Sequence, residues 1–311
     1  MKFLEMEANS IYHNAVLLKE SVEGLAIKPE GTYVDVTFGA GGHARAILNM
    51  LNENGRLFAF DQDEESLQNT IKDNRFTLIN ANFKYMKNHL NANGIRQVDG
   101  ILADLGVSSH QFDAQHRGFA IRFDCSLDMR MDTRKHLTAK DILNTYSETE
   151  LRRIFYDYGE IHNANKLSAL IVAERKQQPF DMSVDFQKRI ASCIPTKREF
   201  KYLAQVYQAL RIEVNDELKA LEMLLLQSRI MIRQGGRLVV ISYHSLEDRL
   251  TKFFIRSGNF EDKIEKDIYG NNLSPFVAIN RKTIVPAQEE LDKNNRSRSA
   301  KLRIAERSAY E

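Results

Sequence analysis

The chain is poor in cysteine. Cys125 and Cys193 are the only two in 311 residues, far apart and without a second Cys or His at zinc-ligand spacing. This argues against a disulfide framework or a structural zinc site, and no metal is expected. Both thiols read as buried or idle side chains. Long apolar runs are missing too. The longest, 223–226 and 238–241, fall far short of the roughly 20 residues that cross a bilayer. The first 20 residues carry Glu5 and Glu7 and no continuous apolar stretch, so a secretory signal is not expected and the cytoplasm is the expected location. There is also no strong excess of one charge. With 44 Lys+Arg against 42 Asp+Glu the net charge is +2, and global charge points to no partner.

The distribution of that charge is uneven. Residues 1–114 hold 10 basic and 15 acidic side chains, and residues 115–311 hold 34 basic and 27 acidic. A polyanion would prefer the second part, although a solvated mixed-charge surface accounts for the same numbers. Hydrophobic content of 43% and charged content of 28% describe an ordinary folded protein. The length suits two compact domains.

Near the start, strands and helices alternate. The β-rich segments Thr32–Thr37, Arg56–Phe60, Phe76–Asn80 and Val98–Ala103 are separated by helical stretches at His43–Leu51, Glu64–Ile71 and Tyr85–Asn91. This rhythm predicts a parallel, doubly wound α/β sheet. From about Gly106 to Arg211 it stops, and only loops and helices are legible. It resumes with a long helix over Asn215–Met231, a Gly235-Gly236 break, a buried strand Arg237–Ser242 and a helix Ser245–Ile255. The tail Lys301–Arg307 alternates like a final edge strand. The economical reading is one sheet interrupted by a helical insertion: residues 1–108 and 213–311 form one domain, and 109–212 the insertion.

The first strand ends in Asp35-Val36-Thr37-Phe38-Gly39-Ala40-Gly41-Gly42-His43. Glycines here let backbone approach a ligand and leave helix N–H groups pointing at it. The pattern alone is weak, since a tight turn with no ligand looks the same. Asp61 strengthens it. It stands at the carboxyl end of the second strand, 20 residues after Gly41, where an acid accepts hydrogen bonds from ribose hydroxyls. Helix capping is the alternative use of Asp61, although Asp63 serves that purpose equally well. Asp35, just ahead of the glycines, is placed as class I methyltransferases place an acid toward the methionine end of S-adenosylmethionine. The fourth strand runs into Asp104-Leu105-Gly106-Val107-Ser108-Ser109, at the edge where open α/β sheets bind ligands. A nicotinamide oxidoreductase would carry a catalytic Tyr-x-x-x-Lys. Here Tyr202 is followed four residues on by Val206, and Tyr207 by Arg211.

Together these segments resemble the bacterial ribosomal small-subunit RNA (cytosine-N4)-methyltransferase H family, RsmH or MraW, over nearly the whole chain. Beside the glycine loop and the Gly100–Ser109 segment, the matching motifs are His13–Glu20, Leu127–Asp132 (LDMRMD), Gln208–Asn215 (QALRIEVN), Ser242–Arg249 (SYHSLEDR) and Arg298–Arg303. The resemblance implies a class I S-adenosylmethionine-dependent methyltransferase, Rossmann-like, with an inserted helical domain for RNA recognition. It implies cofactor contacts from Gly41, Gly42, His43, Asp61, Phe83, Asp104 and Gln111. Phe83 and Gln111 come from the resemblance alone; by itself Phe83 reads as a core residue. The implied reaction is methylation of a cytosine N4 in the decoding region of 16S rRNA. Oligomeric state is left open. Two segments depart from the family pattern: Cys125-Ser126 stand where Gly-Pro is usual, and Lys197–Lys201 replaces a Gly-Arg-Gly-like stretch.

For the chemistry, Asp104 is the candidate catalytic residue, anchoring the cofactor and facing the amine; the backbone carbonyl after it is an equal candidate for the second role. No Pro-Pro-aromatic motif follows strand four, as it does in many amino-methyltransferases. His43, His110 and His244 are further candidate proton acceptors, although a lone histidine in a glycine loop is more often structural. Two arginine groups are candidate phosphate clamps: Arg117, Arg122, Arg130 and Arg134, and Arg296, Arg298, Lys301 and Arg303. For the first group, pairing with neighbouring Asp124, Asp128 and Asp132 is the competing reading.

Overall fold

The computed structural model describes residues 15–309; part of the His13–Glu20 motif lies outside them. After α1 (Leu18–Gly24), the strands β1 (Thr32–Asp35), β2 (Arg56–Phe60), β3 (Phe76–Ile79) and β4 (Val98–Asp104) alternate with α2 (Gly42–Leu48) and α3 (Met86–Ala92). The strands consist almost wholly of apolar and β-branched residues because helices cover both faces of the sheet. α4 (Ser109–Asp113) leads into a helical region containing α5 (Ala139–Thr145), α6 (Glu148–Asp157), α7 (Ala164–Glu174), α8 (Ser183–Arg189) and α9 (Glu199–Asn215). The sheet is then completed by α10 (Glu217–Met231), β5 (Ile232–Ser242), α11 (Ser245–Ser257), β6 (Phe276–Ala278), α12 (Gln288–Lys293) and β7 (Lys301–Arg307).

The seven strands lie in the order β3-β2-β1-β4-β5-β7-β6. β1 to β5 are mutually parallel, whereas β7 runs antiparallel to both β5 and β6. This is the Rossmann-like sheet of class I methyltransferases. The order reverses between β1 and β4, so their carboxyl ends open into the crevice where such sheets bind ligands.

Apolar side chains gather in three clusters. Two lie on the faces of the sheet, one around Val34, Phe60, Ile101 and Val240, the other around Tyr33, Ile47, Leu102 and Val239. The third buries residues from 119–214, including Leu127, Phe155, Phe180 and Leu210, with Val107 and Phe112 packed against it. The inserted helices therefore bury a core of their own. No described helix is long and apolar enough to cross a membrane.

Several sequence expectations need correction. The tail strand β7 is not an edge strand; β6, too short to stand out in the sequence, pairs outside it. The helical segment after β2 is a 3-10 helix that ends at Asn69, two residues earlier than expected. Asp216, at φ 58°, separates α9 from α10, so the long helix begins two residues later than expected. Gly235-Gly236 does not end an element. It lies inside β5, where Gly235 takes φ 74° and the pairing with β4 slips between Val98 and Gly100. There the four residues 233–236 of β5 oppose Asp99 alone in β4, a wider irregularity than a one-residue bulge.

Candidate active site

The turn after β1 is built around Gly41, whose φ of 77° is a left-handed value that favours glycine. Gly42 is required for a different reason. A Cβ there would come within 2.8 Å of the Ala15 Cβ, so the chain before α1 packs directly onto the glycine loop. His43, nearly fully buried, ties the same two segments. Its Nε2 lies 3.1 Å from the Val16 carbonyl. A carbonyl only accepts, so Nε2 carries the proton and Nδ1 is left as an acceptor. Burial lowers the His43 pKa to about 4. Its 3.9 Å approach to an Asp104 oxygen is therefore a contact with a neutral imidazole, not an ion pair.

Three carboxylates converge on this edge. Asp35, at the end of β1, is fully buried. One of its oxygens accepts from the Thr37 N–H at 3.1 Å and the other has no hydrogen-bond partner among the described residues. Asp61, after β2, accepts from the Gly39 N–H at 2.8 Å and the Asp63 N–H at 2.9 Å. Asp104, at the end of β4, accepts from the Tyr243 hydroxyl at 2.8 Å, and its own N–H donates to the Thr37 hydroxyl. Burial pushes Asp35 and Asp104 up to about 7 and Asp61 to about 6, and the acids raise one another: Asp61 acts on Asp35, and Asp35 on Asp104. Neither Asp35 nor Asp104 has a Lys or Arg partner among the described residues. A site of this kind is completed by a ligand that brings positive charge and hydrogen-bond donors. S-adenosylmethionine, with a sulfonium, an ammonium group and ribose hydroxyls, fits that requirement.

The other expected cofactor residues lie around this edge. Phe83 opens a short 3-10 turn after β3 and packs on the sheet core. That turn is tied to the Asp61 loop, since Asn80 donates to the Asp61 carbonyl and Asn82 to the Gln62 side chain. Gln111 closes a capping box with Ser108 at the start of α4. Its amide donates to Asp63 at 2.7 Å, so it reaches the site through the residue after next to Asp61.

Asp63 takes the capping role the sequence offered it, accepting from the Glu65 N–H at the start of the 3-10 helix. It also anchors a network that the sequence does not reveal, accepting from Arg117 at 2.9 Å. The buried Arg117 guanidinium further donates to the carbonyls of Arg130 and Met131 and pairs with Glu65 at 3.2 Å. Asn215 completes the junction. Its side chain accepts from the Met131 N–H at 2.7 Å and donates to the Met129 carbonyl at 2.8 Å. Thus LDMRMD and QALRIEVN, 80 or so residues apart, pin each other beside the cofactor edge. Met129 sits there at φ 60°.

The first arginine group is consequently not a free clamp. Arg122 pairs with Asp113, Arg130 with Asp128 and Arg134 with Asp132. In the tail, Arg296 pairs with Asp113, and Lys301 and Arg303 with Asp248; Arg298 alone of that group is exposed and, among the described residues, without an acidic partner. Of the other candidate histidines, His110 is exposed beside Glu65. His244 lies with Glu247 and Glu217 at ligand-like spacing, but Arg211 already meets Glu217 through both carboxylate oxygens and supplies the cation. Tyr243 is the functional side chain most clearly missed. It sits inside the SYHSLEDR segment, but nothing in that segment ties it to Asp104, which only the β4–β5 pairing brings near.

The family model described as the MraW methylase family matches residues 10–308. The chain belongs to that family. It is 55% identical over 296 residues to ribosomal RNA small subunit methyltransferase H of Flavobacterium johnsoniae, covering 95% of this chain and 98% of that protein. It is 53% identical over 294 residues to the protein of the same name in Christiangramia forsetii, covering 94% and 97%. Among solved structures, it aligns with an rRNA methylase from Streptococcus thermophilus over 96% of this chain and 99% of that one, at 12% identity and a TM-score of 0.40, too low to carry weight.

Proposed function

We propose that this protein transfers a methyl group from S-adenosylmethionine to the exocyclic N4 of a cytosine in 16S rRNA, acting in the cytoplasm on the small ribosomal subunit. The observation that carries the reading is the junction of the family's motifs around an acidic sheet edge at which neither Asp35 nor Asp104 has a Lys or Arg ion-pair partner among the described residues.

S-adenosylmethionine, when bound, supplies an electrophilic methyl on a sulfonium. Gly41 keeps the turn after β1 in its left-handed bend, and Asp61 retains lone pairs for ribose hydroxyls beyond the two backbone bonds it accepts. Phe83 offers a flat apolar face to the adenine. Gln111 acts through Asp63 to hold the Asp61 loop in place.

Cytosine N4 is a weak nucleophile because its lone pair is delocalised into the ring. Holding the amine in line with the methyl at near-attack distance supplies much of the rate gain. Asp104 or the Leu105 carbonyl accepts a hydrogen bond from N4–H and draws the nitrogen toward a tetrahedral shape. Transfer of the methyl, with the C–S electron pair left on the cofactor's sulfur, would make the nitrogen a strong acid. Asp104, whose affinity for a proton lies near neutrality, takes that proton or passes it to water. The base must leave its stack to reach this edge, and residues 109–212, with their separate core, form the domain that receives the RNA.

The test is nucleoside mass spectrometry of 16S rRNA from small subunits lacking the modification, after incubation with protein and S-adenosylmethionine. We expect N4-methylcytidine only when both are present. Its absence with folded protein, on intact subunits and on bare RNA, would overturn the acceptor.

A further inference from the structure

The arginine groups that stand out in the sequence are mostly neutralised by acids, so phosphate contacts in addition to the insertion must come from other cations. Along α11, Ser245, Arg249, Lys252 and Arg256 share one face at helical spacing. Arg249 and Lys252 are exposed, and among the described residues neither has an acidic partner. Beside this face runs a groove of about 430 Å³ between α11 and the outer strands β6 and β7. Its floor is apolar, with Ile255, Phe276 and Ile304. Its rim carries Lys252, Arg256, Arg281 and Arg303. Arg256 is compensated by Asp262 and Arg303 by Asp248. Arg281 is exposed, and among the described residues it too lacks an acidic partner.

We propose that this groove is a docking track for the sugar–phosphate backbone of the substrate RNA, with Lys252 and Arg281 as its principal phosphate contacts and Arg249 extending it toward the active site. The inference rests on the RNA-methylating reading above. Its location supports it: α11 starts directly after Tyr243 and His244, and Lys252 lies about 10 Å along the helix from that start. A strand leaving the active edge can follow the helix into the groove. The chemistry supports it as well. Unpaired cations over an apolar floor fit alternating phosphates and riboses, whereas a protein partner would need acidic side chains at the same positions.

The test uses the full chain with Lys252→Ala, Arg281→Ala and the double charge reversal K252E/R281E. Lys72→Glu, near β3 at the opposite end of the sheet, is the control. Binding to bare 16S rRNA is measured across a salt series, and binding of S-adenosylhomocysteine by calorimetry reports an intact fold. Each alanine variant should lower the slope of log affinity against log salt by about 1 and weaken binding on the order of fivefold. Cofactor affinity should stay unchanged, and the control should do neither. The proposal is overturned if the double variant binds rRNA with wild-type affinity and slope. It is overturned equally if the variants lose only intact small subunits, with bare-RNA binding unaltered, which would assign the groove to a ribosomal protein. Failure of the wild-type chain to bind rRNA or to methylate subunits would instead sink the RNA reading on which the proposal stands.

Discussion

Two groups of aspartates lie on either side of the same junction and behave in opposite ways. At the sheet edge, Asp35, Asp61 and Asp104 are crowded by one another, and burial raises all three. A few residues away, Asp128 and Asp132 are held below the usual carboxylate range. Partial burial pushes them up, but hydrogen bonds from Arg130 and Arg134 outweigh it. The difference separates a site from a scaffold. A buried acid without a counter-charge destabilises the fold and is useful only if a ligand completes it; a paired acid is already satisfied.

The contrast can be broken most severely on the scaffold side. Arg117→Ala leaves Asp63 buried beside Glu65 without its cation, and should cost about 3–5 kcal/mol in denaturant unfolding. Arg117→Lys should recover little, since one ammonium cannot meet both the Asp63, Arg130 and Met131 oxygens that Nη2 serves and Glu65, which faces Nη1.

The site side should respond with opposite signs in two measurements. Asp104→Asn removes a repelled charge, so the melting temperature of the ligand-free protein should rise. Affinity for S-adenosylmethionine should fall by about 10- to 100-fold, the scale of one charge-assisted hydrogen bond. An unchanged affinity in calorimetry would remove Asp104 from the cofactor site.

The pH dependence tests the same idea more gently. A carboxyl raised to about 7 is still protonated in the folded protein at pH values where the unfolded chain has ionised. The folded chain then binds more protons, and stability of the ligand-free protein should decline as pH rises from about 4 to about 7. A cationic ligand favours the ionised form, so S-adenosylmethionine should bind roughly fivefold more weakly at pH 6 than at pH 7. S-adenosylhomocysteine, which lacks the sulfonium charge, should show a shallower dependence.

The smallest effect belongs to the exposed end of the scaffold. Arg134 is about half exposed, and Arg134→Ala should change stability by less than about 1 kcal/mol.

Much of this was legible from residue order. Composition and alternation predicted a parallel sheet with an insertion, because a strand buried on both faces must be apolar throughout and its crossovers must be helical. The glycine loop, Asp61 and Asp104 were placed because each stands where a strand ends. The sequence could also say which acids lie next to which arginines, and so raise the pairing of Arg130 and Arg134 as a competing reading. What it could not say is which of those charges are buried, since that depends on elements far apart in the chain. Tyr243 meets Asp104 through the β4–β5 register. Asn215 meets Met129 and Met131 across the insertion. Lys252 and Arg281 share a groove only because β6 and β7 fold back beside α11. Local pattern determined the elements and the chemistry they carry. Long-range packing alone decided which charges are paired, which are left for a ligand and which face the solvent.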